Sequence, residues 1–179
     1  MARYVAFLRG LNVGGHTVKM EDLKKLFQDL KFQNVETFIA SGNVIFDVKS
    51  GVPAAHEQKI AAHLESKLGY GVDTFLRTIE EVHAIHQHKP FTPDKVAKAH
   101  GIYVGMCSAL ISPASAKAIL ECNSADDDFH CNNREVYWLC RIPSIDSKFS
   151  YKAFEKIIKG TATFRNVNTM ARLASKYPL

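Results

Sequence analysis

Val35-Glu36-Thr37-Phe38-Ile39-Ala40-Ser41-Gly42-Asn43-Val44-Ile45-Phe46 holds two β-rich runs, 35–40 and 43–48, separated by Ser41-Gly42, and reads as a β-hairpin. What flanks it decides the fold. Upstream, residues 4–9 read as a strand ended by Gly10, and Leu23, Leu26, Phe27 and Leu30 fall at i, i+3, i+4 and i+7, one face of a helix. Downstream, the alanine-rich segment 53–68 carries Ile60, Leu64 and Leu68 at i, i+4 and i+8. Gly69 or Gly71 ends that helix, and 72–77 supplies a fourth strand. The order β-α-β-β-α-β is that of a ferredoxin-like unit.

The pattern then recurs. Thr78-Ile79-Glu80-Glu81 is a capping box that starts a connecting helix. Lys89-Pro90-Phe91-Thr92-Pro93 breaks it and marks a domain boundary. Beyond it come a strand at 101–110 and a helix opened by Ser112-Pro113, with proline in the first position. Runs 129–132 and 135–141 flank an Asn133-Arg134 turn; a helix at 150–159, a strand at 161–164 and a basic helix at 168–177 follow. The expectation is an α+β protein of two tandem ferredoxin-like (βαββαβ) halves with antiparallel sheets, helix-linked, plus a C-terminal helix. Residues 1–90 and 91–179 form the halves, in one compact unit, since each half alone is marginal in size. Tyr137 and Trp138, adjacent on one strand, should point to opposite faces, with one in the core and the other partly exposed.

Composition excludes several classes. Apolar residues make up 46% and charged residues 23%, ordinary for a globular protein. No apolar run approaches the roughly 18 residues of a membrane span. The stretch between Arg3 and Arg9 is too short for a signal-peptide core, so a cytoplasmic protein is expected. Cys107, Cys122, Cys131 and Cys140 are dispersed, with no C-x-x-C spacing, and read as reduced thiols. His83, His86 and His88 cluster on the connecting helix without a carboxylate or cysteine at ligand spacing, so no metal is assigned. Asp126-Asp127-Asp128 lacks the rest of a calcium loop and reads as a solvated turn. No cofactor signature and no G-x-S-x-G nucleophile motif is present. The net charge of +5 is uneven: residues 141–179 carry +6 and the rest −1. Lys148, Lys152, Lys156 and Lys159 are spaced to share one helix face.

Three polar clusters are candidate sites. Arg9-Gly10-Leu11-Asn12-Val13-Gly14-Gly15 leaves the first strand. Gly10 and Gly15 have phosphate-loop spacing, but His16-Thr17 follow where Lys and Ser/Thr are needed, and the dinucleotide fingerprint fails too. A turn that requires left-handed glycine accounts for the loop on backbone grounds alone. Against that stand four donors in one connection, Arg9, Asn12, His16 and Lys19, beside the backbone N–H groups of Gly14 and Gly15, a composition suited to an anion. Ser41-Gly42-Asn43 is the second cluster, and turn chemistry alone also explains it. The third, Thr163-Phe164-Arg165-Asn166-Val167-Asn168-Thr169, precedes the last helix, as an N-cap or as an anion site. The expectation is that the three converge on one polar cleft. Arg9, Lys19 and Arg165 would supply charge, and Gly14 and Gly15 backbone donors. Asn12, Ser41 and Asn43 would orient the ligand, with Thr163, Asn166 and Thr169 joining from the third segment.

These clusters, with Met20, Leu23, residues 35–46, Arg134-Glu135-Val136-Tyr137, Ser147-Lys148 and Leu173, resemble the signature of the bacterial domain-of-unknown-function family 1697. Leu11 and Ala40 stand where that signature has Ile and Gln, and Arg172 where it has Lys. The resemblance implies an α+β fold of ferredoxin-like halves in an intracellular bacterial protein. It carries no established activity, so no catalytic residue is transferred. The leading function is binding of a small phosphate- or carboxylate-bearing molecule. A nucleic-acid-binding protein is the alternative and needs a basic stripe with exposed aromatics. A structural or partner-binding protein is the third reading and needs a large exposed apolar patch.

Overall fold

The apolar run Val5-Ala6-Phe7-Leu8 becomes the interior of the first strand, β1 (Ala2–Arg9), in a computed structural model that describes residues 1–39, 42–49 and 51–179. The helix α1 (Met20–Asp29), the hairpin β2 (Gln33–Thr37) and β3 (Asn43–Val48), α2 (Pro53–Leu68) and β4 (Asp73–Thr78) follow. β1 pairs antiparallel with both β3 and β4, and β2 with β3, giving the order β2-β3-β1-β4 of a ferredoxin-like sheet. Leu23 and Phe27 of α1 and Ile60 and Leu64 of α2 pack onto Tyr4, Ala6 and Phe46. Proline opens α2 and Gly69, with φ 82°, closes it, as the sequence predicts. The second face of the sheet is buried as well: Val5, Phe7, Ile45 and Phe75 are each at most 2% exposed.

β4 runs straight into α3 (Ile79–Gln87) through the expected capping box. Thr78 N–H donates to Glu81 Oε2 at 2.8 Å, and Glu81 N–H to Thr78 Oγ1 at 3.1 Å. The proline break is followed by a short helix, α4 (Pro93–Ala97), that the sequence reading leaves out. Then come β5 (Gly101–Cys107), α5 (Pro113–Leu120), β6 (Asp127–Asn132), β7 (Glu135–Cys140), α6 (Tyr151–Ile158), β8 (Ala162–Asn166) and α7 (Val167–Lys176). Their sheet order, β6-β7-β5-β8, repeats the first one position for position. The chain is therefore α+β, two tandem ferredoxin-like halves with a C-terminal helix. It divides into two compact units, Met1–Glu81 with Leu179, and Val82–Pro178.

In the second unit α5 and α6 cover one face around Trp138, Phe129 and Phe154. The expectation that only one of Tyr137 and Trp138 is core is corrected: both are at most 2% exposed. Tyr137 lies on the face that α3 and α7 cover, and its hydroxyl donates to Ile85 O at 3.2 Å. The acidic run is a second correction. Asp127 and Asp128 belong to β6 and are buried. Trp138 Nε1 donates to Asp127 at 2.7 Å and Ser147 Oγ at 2.9 and 3.0 Å, so the buried carboxylate keeps its hydrogen bonds. Burial alone would raise Asp128, but hydrogen bonds from Arg141 and Lys95 hold it below the ordinary carboxylate range. The four spaced lysines do not share a helix face either. Lys148 precedes α6, and Lys159 is its left-handed C-cap at φ 52°.

The two halves share one local device despite negligible sequence identity. Arg77 stands opposite Val5 on β1, and Arg165 opposite Val104 on β5. Each arginine is one residue before a helix N-cap, Thr78 or Asn166, and each returns Nη1 to the preceding carbonyl. The distances are 2.8 Å to Leu76 O and 2.9 Å to Phe164 O.

In the first unit Arg3 grips Asp47 with two hydrogen bonds, at 2.7 and 2.8 Å, and Asn34 Nδ2 adds a third at 2.7 Å. The Arg3 bond lowers Asp47 from 3.8, against the upward pull of burial. A carboxylate lowered in the folded state stabilises above its unfolded value, and that contribution disappears as pH falls through the folded value. Asp47→Asn should therefore be less stable than the parent at pH 7, by on the order of 1 kcal/mol given the half-exposed Arg3. Urea melts should show the gap closing below about pH 4; a gap that stays constant with pH contradicts the assignment.

Candidate functional site

The loop from Gly10 to Lys19 is anchored by its ends and open in its middle. Leu11 and Val18 are buried in the helix-side core of the first unit. Between them Asn12, Val13, Gly14, Gly15, His16 and Thr17 are exposed. Two hydrogen bonds brace the anchors: Val18 N–H donates to Asn12 Oδ1 at 2.8 Å, and Tyr70 Oη donates to Leu11 O at 2.7 Å. His16 stacks on the Tyr70 ring with centroids 3.9 Å apart. Gly14 and Gly15 sit at φ 61° and 84°, and nothing lies within 4 Å of where a Cβ would be. Their backbone is thus bare on the outer side, a conformation and a clearance that favour glycine.

Cations flank this bare segment. Arg9, at the end of β1, is partly exposed, with Asp73 carboxylate oxygen 3.9 Å from its Nε. Lys19 is the N-cap of α1 and makes no side-chain cap hydrogen bond. Its helix carries Glu21 and Asp22 in the first turn, so α1 already has acids at its positive end. His16 N–H donates to Val13 O at 3.1 Å, so what this loop could offer an anion is the Gly14–Gly15 backbone and the two cations.

The second cluster lies beside the first. Leu8 N–H donates to Gly42 O at 2.9 Å, and a Cβ on Gly42 would stand 3.3 Å from Leu8 Cβ and 3.4 Å from Leu11 Cδ2. With φ at 79°, Gly42 is where the hairpin presses on the root of the loop. Asn43 is fully buried and donates from Nδ2 to Phe38 O at 3.0 Å, closing the turn on itself. Ser41, the remaining residue of this cluster, lies outside the described residues.

The third cluster belongs to the second unit. Thr163 is buried, and its Oγ1 accepts from Arg165 Nη1 at 2.8 Å. Desolvation pushes Arg165 down to about 10, which leaves it cationic at neutral pH. Asn166 caps α7, its Oδ1 accepting from Asn168 N–H at 2.9 Å, and Thr169 sits half-buried in the first turn. In the structure Thr163 and Asn166 thus perform local tasks, positioning a guanidinium and starting a helix.

The histidines separate. His83 Nε2 donates to Tyr177 O at 2.8 Å, His86 lines a pocket, and His88 stands past the end of α3 against His130 and Tyr137. Among the described residues no three His, Cys, Asp or Glu side chains come together as a metal site, and no helix is long and apolar enough to cross a membrane. Sequence reasoning missed the Tyr70 brace and this pocket; the aromatic Tyr70 between Gly69 and Gly71 was the available signal for the first.

Fold and loop together define an α+β protein of duplicated ferredoxin-like sheets that presents a braced, solvent-facing glycine loop. The chain belongs to the family described as "Protein of unknown function (DUF1697)", which matches residues 1–137. A solved structure of a conserved bacterial protein from Streptococcus pneumoniae is similar in fold, with a TM-score of 0.71 and 21% identity over 98% of each chain. No curated protein matches the chain.

Removing the Asn12 brace should loosen the loop and leave the sheet intact. Asn12→Ala is expected to cost about 1 kcal/mol, one partly buried hydrogen bond. Amide exchange should quicken at residues 13–18 and stay unchanged in β1; exchange as slow as in the parent would show that the brace is idle.

Proposed function

We propose that the protein binds a small anionic molecule, one bearing a phosphate or carboxylate, on the glycine loop of its first unit. The observation that carries this reading is the open backbone of Gly14 and Gly15, in a loop braced at both ends and flanked by Arg9 and Lys19. Backbone N–H groups held in place lose little freedom on binding, and the cations raise the local anion concentration. Asn12 would contribute its amide NH2, since its oxygen is engaged, and Asn43 would keep the adjoining hairpin in register. Free cysteines, two of them buried, support a reducing cytoplasmic setting, and the bacterial structural relative supports a bacterial one.

Thermal melts across inorganic phosphate, nucleotides and small carboxylates test the proposal. A ligand of the native state at a hundredfold excess over its Kd adds about 2.7 kcal/mol. Arg9→Ala should remove most of that shift, and Arg9→Lys should restore part of it, for want of the two-pronged guanidinium. Arg165→Ala is the comparison: if it alone removes the shift, the anion belongs to the start of α7. Stabilisation that survives Arg9→Ala, or a panel that stabilises nothing, refutes the loop site. Stabilisation by oligonucleotides alone, falling steeply with salt, would favour the nucleic-acid alternative.

A further inference from the structure

His16 and Tyr70 form a stacked pair on the rim of the glycine loop. Their ring centroids are 3.9 Å apart and their planes 17° from parallel. Both residues are held. Tyr70 Oη is fixed by its bond to Leu11 O at 2.7 Å, and the His16 backbone by its N–H, which donates to Val13 O at 3.1 Å. One face of the imidazole is taken up by Tyr70, yet the residue as a whole is exposed. Among the described residues no second ring lies against it. An anchored aromatic plane with an open side is a stacking platform, and a flat ring laid on it meets a partner that needs little ordering.

The platform stands directly beside the anion donors. His16 follows Gly15 in the chain, and the N–H groups of Gly14 and Gly15 meet no acceptor among the described residues. Lys19 has no ion-pair partner among them either. Asn12 uses its Oδ1 to brace Val18, which leaves its amide NH2 without an acceptor there.

A flat ring and an anion held one residue apart match the chemistry of a nucleotide, in which a sugar separates base from phosphate. Consecutive Cα atoms are about 3.8 Å apart, a spacing that a ribose bridges. Inorganic phosphate or a small carboxylate would leave the platform bare. A nucleic-acid strand needs stacking platforms in succession and a basic groove along its backbone, whereas the loop offers a single ring beside a single pair of glycine amides. Taking the loop as the anion site proposed above, we infer that its ligand is a free mononucleotide. Its base stacks on His16, and its phosphate lies at the Gly14 and Gly15 amides between Arg9 and Lys19.

Calorimetric titration of the full chain with adenosine monophosphate, inorganic phosphate and adenosine tests this. The nucleotide should bind at least about tenfold more tightly than phosphate, the contribution of one base stacked on a side-chain ring. His16→Ala keeps the backbone N–H and should abolish that preference, whereas His16→Phe should keep most of it. In proton NMR the His16 ring protons should move upfield on titration with the nucleotide and stay in place with phosphate, a readout that needs no variant. Phosphate binding with no gain from the base, or a gain that survives His16→Ala, overturns the inference while the anion site stands. A short oligoadenylate that binds much more tightly than the mononucleotide overturns it in favour of a nucleic-acid strand. Binding of neither phosphate nor nucleotide, or adenosine as tight as its monophosphate, refutes the loop as an anion site and this inference with it.

Discussion

A four-stranded antiparallel sheet with one wet face needs a polar residue at every second position of its central strands, and this chain has none to spare there. Tyr4 to Leu8 in β1, Asn43 to Asp47 in β3 and all six residues of β7 are buried. Burial on both faces is the constraint that the rest obeys. It makes the strands read as continuous apolar runs, and it penalises a polar group in them that lacks a partner. Asn43 turns to Phe38 O, Asp127 takes Trp138 and Ser147, and Thr163 takes Arg165. Arg77, the largest of these groups, is fully buried and bonds to its neighbour's carbonyl.

The same constraint explains what could be read from the residues. Helix faces, caps and turns are local, so the two βαββαβ orders, the Thr78–Glu81 box and the Ser112 cap are visible in sequence, and the structure contains them. Which side of a strand is covered is not local. Tyr137 beside Trp138 suggests alternation, yet a helix from far upstream lies over the tyrosine side. Asp126-Asp127-Asp128 looks like solvated turn because its compensating partners, Trp138, Arg141 and Ser147, are 11 to 20 residues away. α4 is one turn long, too brief for a hydrophobic period to show.

The candidate loop follows the same division. Its glycines and flanking cations announce it, since left-handed backbone and donor density are properties of the segment itself. What holds it is hidden, because Tyr70 reaches Leu11 across 59 residues. Asn12 was legible as polar but not as a brace, for the choice between gripping its own loop and gripping a ligand depends on where Val18 N–H falls. The pocket that His86 lines was only half legible: residues 85–96 supply most of its lining, but Ile102, Tyr137, Val167 and Met170 reach it from β5, β7 and α7.

The joint between β4 and α3 has a practical meaning for anyone dissecting the molecule. Strand and helix share Thr78, with no linker between them, while Val82 and Ile85 further along that helix are buried in the second unit. A fragment cut at the proline-rich break would leave that helix behind. Its Tyr137 hydroxyl would lose the carbonyl it serves, and an apolar sheet face would meet water, the condition under which isolated fragments stick to one another. The natural seam runs through the first turn of α3, so the second half carries with it a helix launched by the first.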